Sequence, residues 1–172
     1  MTDTRPAVVL IGFMGAGKSA VGRLLADRLG VAFTDSDAVI EADAGRTIAD
    51  IFATDGEPAF RDLEHRTIAR LLTEPVGVLA LGGGAAMHPG TQALLRRHPM
   101  VVHLRIDLDR ARARTGDDTR RPMLRRADLA EIHARRMPVF DAIATLVLDT
   151  ADRSLEQVAD VVLAAVASAP QV

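Results

Sequence analysis

Gly12-Phe13-Met14-Gly15-Ala16-Gly17-Lys18-Ser19 matches the pattern G-x-x-x-x-G-K-[ST], with a short apolar run before it and helical spacing after it. Glycines at these spacings let successive backbone N–H groups converge on phosphate oxygens, and a helix starting near Lys18 adds the positive end of its dipole. Gly15, Ala16, Gly17, Lys18, Ser19 and Ala20 are therefore candidate nucleotide contacts. Lys18 suits the β- and γ-phosphates and the Ser19 hydroxyl suits a Mg²⁺ ion carried by the nucleotide. The competing reading is a glycine-rich strand-to-helix turn with no ligand. Lys18 weighs against it, being the single lysine among 21 Lys and Arg residues. Arginine-favouring base composition explains why lysine is rare, but not why the one lysine stands here. The same count removes guanine-selective switches, whose Asn-Lys-x-Asp motif needs a second lysine.

Asp35-Ser36-Asp37 follows the second apolar run. In extended backbone the two carboxylates share a side, at the strand end where ligands of open α/β sheets gather. One suits a metal held through water, the other the proton of an attacking hydroxyl. Both are also good helix caps ahead of Ala38-Val39-Ile40, so capping stays open. Gly82-Gly83-Gly84 ends the third run, where missing side chains allow backbone amides near a ligand, although a strand-end turn calls for glycine too. Arg114 to Arg126 sets charges around Gly116 and Pro122 without apolar periodicity, and reads as a mobile lid. Closure would exclude water and bring Arg114 and Arg121 toward the phosphates. Asp107, Asp109, Asp117, Asp118 and Asp128 interleave the arginines there, and no aromatic residue is present for base stacking, so the segment is a poor nucleic-acid surface.

These residues need a scaffold, and the apolar runs supply one. Ala7 to Ile11, Val31 to Thr34, Val76 to Leu81, Met100 to Ile106 and Thr145 to Leu148 are predicted strands, with helical spacing between them. Strands this apolar call for cover on both faces, hence an α/β domain of three layers around a five-stranded parallel sheet. The 172 residues, 48% hydrophobic and 26% charged, suit one soluble domain, taken as 1–172. A net charge of −2 supplies no general attraction for nucleic acid. The absence of cysteine excludes disulfides, thiolate metal sites and a cysteine nucleophile. With no signal-peptide pattern and no apolar run of membrane-spanning length, the expectation is a cytoplasmic protein without a membrane partner.

The order of motifs resembles the shikimate kinases, P-loop small-molecule kinases related to the nucleoside monophosphate kinases. The similarity runs from about Val8 to Thr150, through the P-loop, Asp35-Ser36-Asp37, Thr47 to Phe52, Gly56 to Glu64, Leu81 to Gly84, Arg121-Pro122 and Arg136-Met137-Pro138-Val139-Phe140. The resemblance implies transfer of the γ-phosphoryl of ATP to shikimate by a monomer, with segment 36–64 forming the substrate site and 114–126 the lid. It assigns Asp35 and Ser19 to the metal, Asp37, Arg61, Gly82, Gly83, Gly84 and Arg136 to the acid substrate, Arg121 to catalysis and Arg114 to the neighbourhood of adenine. Guanidinium forks suit a carboxylate, while the ordinary alternative for each arginine is a solvated helix charge. Glu64 pairs with Arg61 or holds it in place, and Phe52 and Phe60 either wall the pocket or join the core. Two positions depart from the family: Ala20, often Thr, and Phe140, usually Tyr. A kinase for another hydroxy acid such as gluconate, and a non-catalytic ATP-binding module, are the alternatives.

Overall fold

The computed structural model describes residues 6–115 and 128–169. Along the chain run β1 (Val8–Ile11), α1 (Lys18–Leu29), β2 (Phe33–Asp35), α2 (Ser36–Ala44), α3 (Ile48–Leu71) and β3 (Val78–Ala80). A 3₁₀ turn at Ala85–Met87 leads to α4 (Pro89–Leu95), β4 (Val101–Arg105), α5 (Leu108–Thr115), α6 (Leu129–Ile143), β5 (Leu146–Asp149) and α7 (Leu155–Ser168).

The five strands are parallel in the order β2-β3-β1-β4-β5. From the central strand the chain first builds one side of the sheet and then crosses to build the other, so the carboxyl end of β1 opens on the crevice where such sheets bind ligands. Alternation along β1 divides the core. Val8 and Leu10 pack with Val21 and Leu25 of α1 and Val158 and Val162 of α7. Val9 and Ile11 pack with Ile68 of α3, Leu95 of α4, and Phe140 and Ile143 of α6. A third cluster, Ile40, Ile51 and Phe60, ties α2 to α3.

Three details differ from expectation. The second strand begins at Phe33, not Val31, because the Val31 N–H closes α1 on the Ala26 carbonyl at 3.0 Å, after Gly30 turns left-handed at φ 67°. Val31 is left 40% exposed. Cover on both faces holds for the three central strands, whereas β2 and β5 are edge strands and only partly buried. Arg114, expected to open the loop, lies with Thr115 at the end of α5. The rest of that segment, Arg121 included, lies outside the described residues.

Candidate active site

The half built on the G-x-x-x-x-G-K-[ST] loop is local in sequence. Between β1 and α1 the loop places Gly12, Gly15 and Gly17 at φ 147°, 80° and 90°, a region in which side chains are strained. Gly17 caps α1 with no side-chain hydrogen bond, so first-turn N–H groups remain for an anion. Lys18 Nζ donates to the carbonyls of Gly12 at 2.8 Å and Phe13 at 3.1 Å, which lays the ammonium along the loop. The Ser19 hydroxyl donates to Asp35 Oδ2 at 3.2 Å. The other Asp35 oxygen accepts from the Asp37 N–H at 2.9 Å, so Asp35 caps α2 and faces Ser19 at once. A hydroxyl beside a carboxylate is a donor set of hard oxygens, which fits a Mg²⁺ ion completing its shell with phosphates and water.

The second half is assembled from α2, α3, the turn after β3, and α6. Its floor is the glycine run. A methyl group on Gly82 would fall 2.6 Å from Asp37 Oδ1 and 3.0 Å from Glu64 Oε1, and one on Gly84 only 2.4 Å from Arg61 Nη2. Any side chain at these two positions would displace the charged groups resting there. The Gly82 N–H donates to the buried Ser36 hydroxyl at 3.2 Å. A kink at Gly56, followed by Pro58, turns α3 before Arg61 and Glu64. Arg61 donates to Glu64 Oε2 at 2.7 Å and Glu57 Oε1 at 3.3 Å, with its guanidinium 5.2 Å from the Phe60 ring centre.

Burial sets the electrostatics of this half. It pushes the Asp37 carboxyl from 3.8 up to about 6, with the charges of Glu64 and Asp35 adding to the rise. Glu64 is also raised, chiefly by burial, against the opposing pull of Arg61. Arg136 is 4% exposed and donates from Nη1 to the Gly83 carbonyl at 3.0 Å. Its Nε is buried with no partner among the described residues. Burial, then the charge of Arg61, lowers it to about 10. A buried arginine whose charge is disfavoured by burial and by a neighbouring guanidinium suits an anion placed beside it. Gly83 joins the halves: a methyl there would lie 3.5 Å from the Met14 N, and 3.8 Å from both Arg136 Nη1 and the Gly12 carbonyl.

Comparison with known proteins bears on what fills this crevice. A shikimate kinase family model matches residues 14–167. The shikimate kinase of Thermobifida fusca is 45% identical over 163 residues, 93% of this chain and 94% of that protein. That of Streptomyces avermitilis is 47% identical over 163 residues, covering 93% and 95%. Among solved structures, the shikimate kinase of Acinetobacter baumannii in complex with shikimate matches with a TM-score of 0.88 at 34% identity, over 96% of this chain and 95% of that one.

This chain belongs to the shikimate kinase family. It is an ATP-dependent kinase with the P-loop α/β fold. Several residues at its site were not singled out in the sequence. Ser36 braces Gly82, and Phe13 lies wholly buried with the His133 ring edge-on at 4.9 Å and the Arg136 guanidinium at 6.0 Å. Only hydroxyl placement within the Asp-Ser-Asp motif hints at Ser36; Phe13 and His133 carry no local signal. Glu64, read as a partner for Arg61, is one, and it also sits under Gly82. Phe60 is core and Phe52 packs on it at 4.6 Å, with Arg61 against both rings. Arg114 donates to the Thr150 carbonyl at 3.0 Å and its hydroxyl at 3.3 Å, anchoring α5 to the turn after β5. Ala20, in the first turn of α1, is exposed. Phe140, where the family has Tyr, is fully buried against His103, ring centres 5.0 Å apart.

Proposed function

We propose that the transfer of the γ-phosphoryl of ATP to the 3-hydroxyl of shikimate, giving shikimate 3-phosphate and ADP, uses the two joined halves as one site. The observation that carries this reading is Gly83: its carbonyl accepts from Arg136, a methyl group on it would lie 3.5 Å from the Met14 N of the phosphate loop, and Asp37 and Arg61 stand against its neighbours. Gly15 to Ala20 hold the nucleotide, with Lys18 toward the β- and γ-phosphates. Arg114 lies toward adenine, and Arg121, assigned from sequence, offsets charge on the transferring group. Ser19 and Asp35 would hold Mg²⁺, which would neutralise phosphate charge when bound. Arg61 and Arg136 grip the substrate carboxylate above Gly82, Gly83 and Gly84. Asp37 receives the hydroxyl: a carboxyl near 6 is charged at neutral pH yet basic enough to take a proton.

The chain works as a single-domain monomer over 1–172, with segment 36–64 as the substrate wall and 114–126 as the lid. Its partners are ATP and shikimate, with neither nucleic acid nor membrane, and its place is the cytoplasm. No described helix is long and apolar enough to cross a membrane. A coupled assay of ADP release over a panel of hydroxy acids tests the reading. Turnover of shikimate well above gluconate supports it. Equal turnover of gluconate would move the substrate to another acid, and tight ATP binding without turnover of any acid would leave a binding module.

A further inference from the structure

Whatever holds helix α6 also holds the guanidinium of Arg136. That side chain does little to locate itself, with one hydrogen bond to Gly83 and a buried Nε that has no partner among the described residues. The apolar residues of α6, Ile132, Met137, Phe140 and Ile143, pack into the core clusters, but apolar packing has no direction of its own. Directional contacts sit toward the two ends. Near the first turn, His133 Nε2 lies 2.8 Å from the Ile106 carbonyl. Near the last, Asp141 is gripped from β4 by two side chains: Oδ1 is 2.8 Å from His103 Nδ1, and Oδ2 pairs with Arg105.

His103 is an unusual residue for its place. It stands in β4 opposite Ile11, the last residue before the phosphate loop, and is fully buried. Because a carboxylate only accepts, Nδ1 carries the hydrogen; Nε2 is buried with no partner among the described residues. A buried imidazole with one nitrogen unsatisfied is costly, and an apolar residue would fill the space at less cost. The hydrogen bond to Asp141 is what it offers in return.

We infer that His103 and Asp141 form a positioning pair that fixes α6 in rotation against β4 and thereby sets where Arg136 meets the substrate carboxylate. The inference rests on the reading of Arg136 as a carboxylate ligand. Asp141 lies about 7.5 Å along the axis from Arg136, and a rotation of α6 by about 10° moves a side-chain tip by about 1 Å. Displacement of that size is enough to weaken a bidentate contact severely.

Two substitutions separate the bond from the packing. His103→Phe keeps the ring volume and loses the donor; His103→Asn loses volume but keeps an N–H near the position of Nδ1. His103→Phe is expected to raise both Kd and KM for shikimate about tenfold, roughly the worth of one positioned contact. KM for ATP should stay within about twofold, and His103→Asn should remain within about threefold of wild type for shikimate despite a lower Tm. Asp141→Ala, read in place of His103→Phe if that variant does not fold, should reproduce its effect. In an Arg136→Ala background His103→Phe should add nothing, because no guanidinium is left to position. A larger loss with Asn than with Phe, a joint rise of both KM values, or a full additional loss beside Arg136→Ala would overturn the positioning pair. Titration of wild type, Arg136→Ala and His103→Phe with shikimate and MgADP separates the two readings. Binding by Arg136→Ala as tight as by wild type overturns the role given to Arg136, whereas weak binding by Arg136→Ala with normal binding by His103→Phe overturns only the pair.

Discussion

The phosphate half and the acid half of the crevice are built on opposite plans. The first comes from eight consecutive residues, and the groups it would offer a phosphate are mostly backbone N–H held by glycine geometry and a helix start. Little charge is buried there. The second draws Asp37, Arg61, Glu64 and Arg136 from three helices onto one glycine turn, and burial displaces three of the four from their ordinary titration. A backbone cradle binds any polyphosphate, so a kinase family can reuse it. Selectivity for one acceptor has to come from the expensive half, where each charge is tolerable only with its partners or its ligand in place. Damage should therefore be specific to the acid on one side and to the phosphates on the other.

The largest expected effect breaks the acid half. Truncating one arginine of a desolvated charge pair costs about 2 to 5 kcal/mol, or roughly 30-fold to several thousand-fold, against about 1 kcal/mol or less for a solvated one. Arg136→Ala should raise KM for shikimate within that range and leave KM for ATP nearly unchanged. Arg136→Lys should recover only part, since an ammonium cannot form the paired fork. Shikimate methyl ester should be a poor substrate for wild type and lose little more on mutation. If acid and ester respond to Arg136→Ala by the same factor, the arginine does not read the carboxylate.

On the phosphate side, Lys18→Ala should lower kcat by about 10²- to 10³-fold through lost stabilisation of transferring charge, with shikimate binding in calorimetry little altered. Near-wild-type turnover would contradict the catalytic role of the loop.

Asp37 sharpens the comparison through stability. Its folded carboxyl is raised, so the charged form is penalised in the folded state. The penalty is absent below the ordinary value of 3.8, grows as pH rises to about 6, and is complete above that. At pH 7 it amounts to at most about 3 kcal/mol. Asp37→Asn should therefore raise Tm at pH 7, with a gain that shrinks toward pH 4, while abolishing most activity. In the wild type, kcat/KM for shikimate should fall as pH drops through about 6. A Tm gain that did not depend on pH would assign the stabilisation to something other than the buried charge.

The two plans also explain what could be read from the sequence. A phosphate loop is a contiguous pattern with a fixed mechanism, so Gly12 to Ser19 was legible from residue types alone. Strand number was legible too, because five separated apolar runs need only local periodicity. The start of β2 was not: Val31 is apolar and β-branched, yet its N–H is taken by the end of α1. In the acid half, one chain rich in arginine offers many equivalent candidates, and only the R-x-P context and its resemblance to a family marked Arg136. Its burial, and the contributions of Phe13, Ser36 and His133, depend on contacts between residues far apart in sequence. For Asp35 the capping reading holds, with one oxygen on the Asp37 N–H, while the other oxygen, on the Ser19 hydroxyl, leaves the proposed metal role compatible with the cap.

The smallest expected effect tests whether the phosphate half is as self-sufficient as its backbone plan suggests. Ala20, in the first turn of α1, is exposed where the family often carries Thr. Ala20→Thr adds a hydroxyl on the nucleotide side of the helix start. A neutral hydrogen bond is worth about 0.5 to 1.5 kcal/mol net. The helix-propensity cost of about 0.5 kcal/mol for the β-branched residue falls on free and bound enzyme alike, so it lowers Tm and not affinity. The hydrogen bond alone corresponds to a fall in KM for ATP of about two- to tenfold, with KM for shikimate unchanged if the halves are as separate as their construction indicates. A rise in KM for ATP would mean that the added side chain crowds the nucleotide and the missing hydroxyl is no loss. A parallel change in KM for shikimate would mean that the first turn of α1 reaches the acid half, and the proposed division between them would not hold.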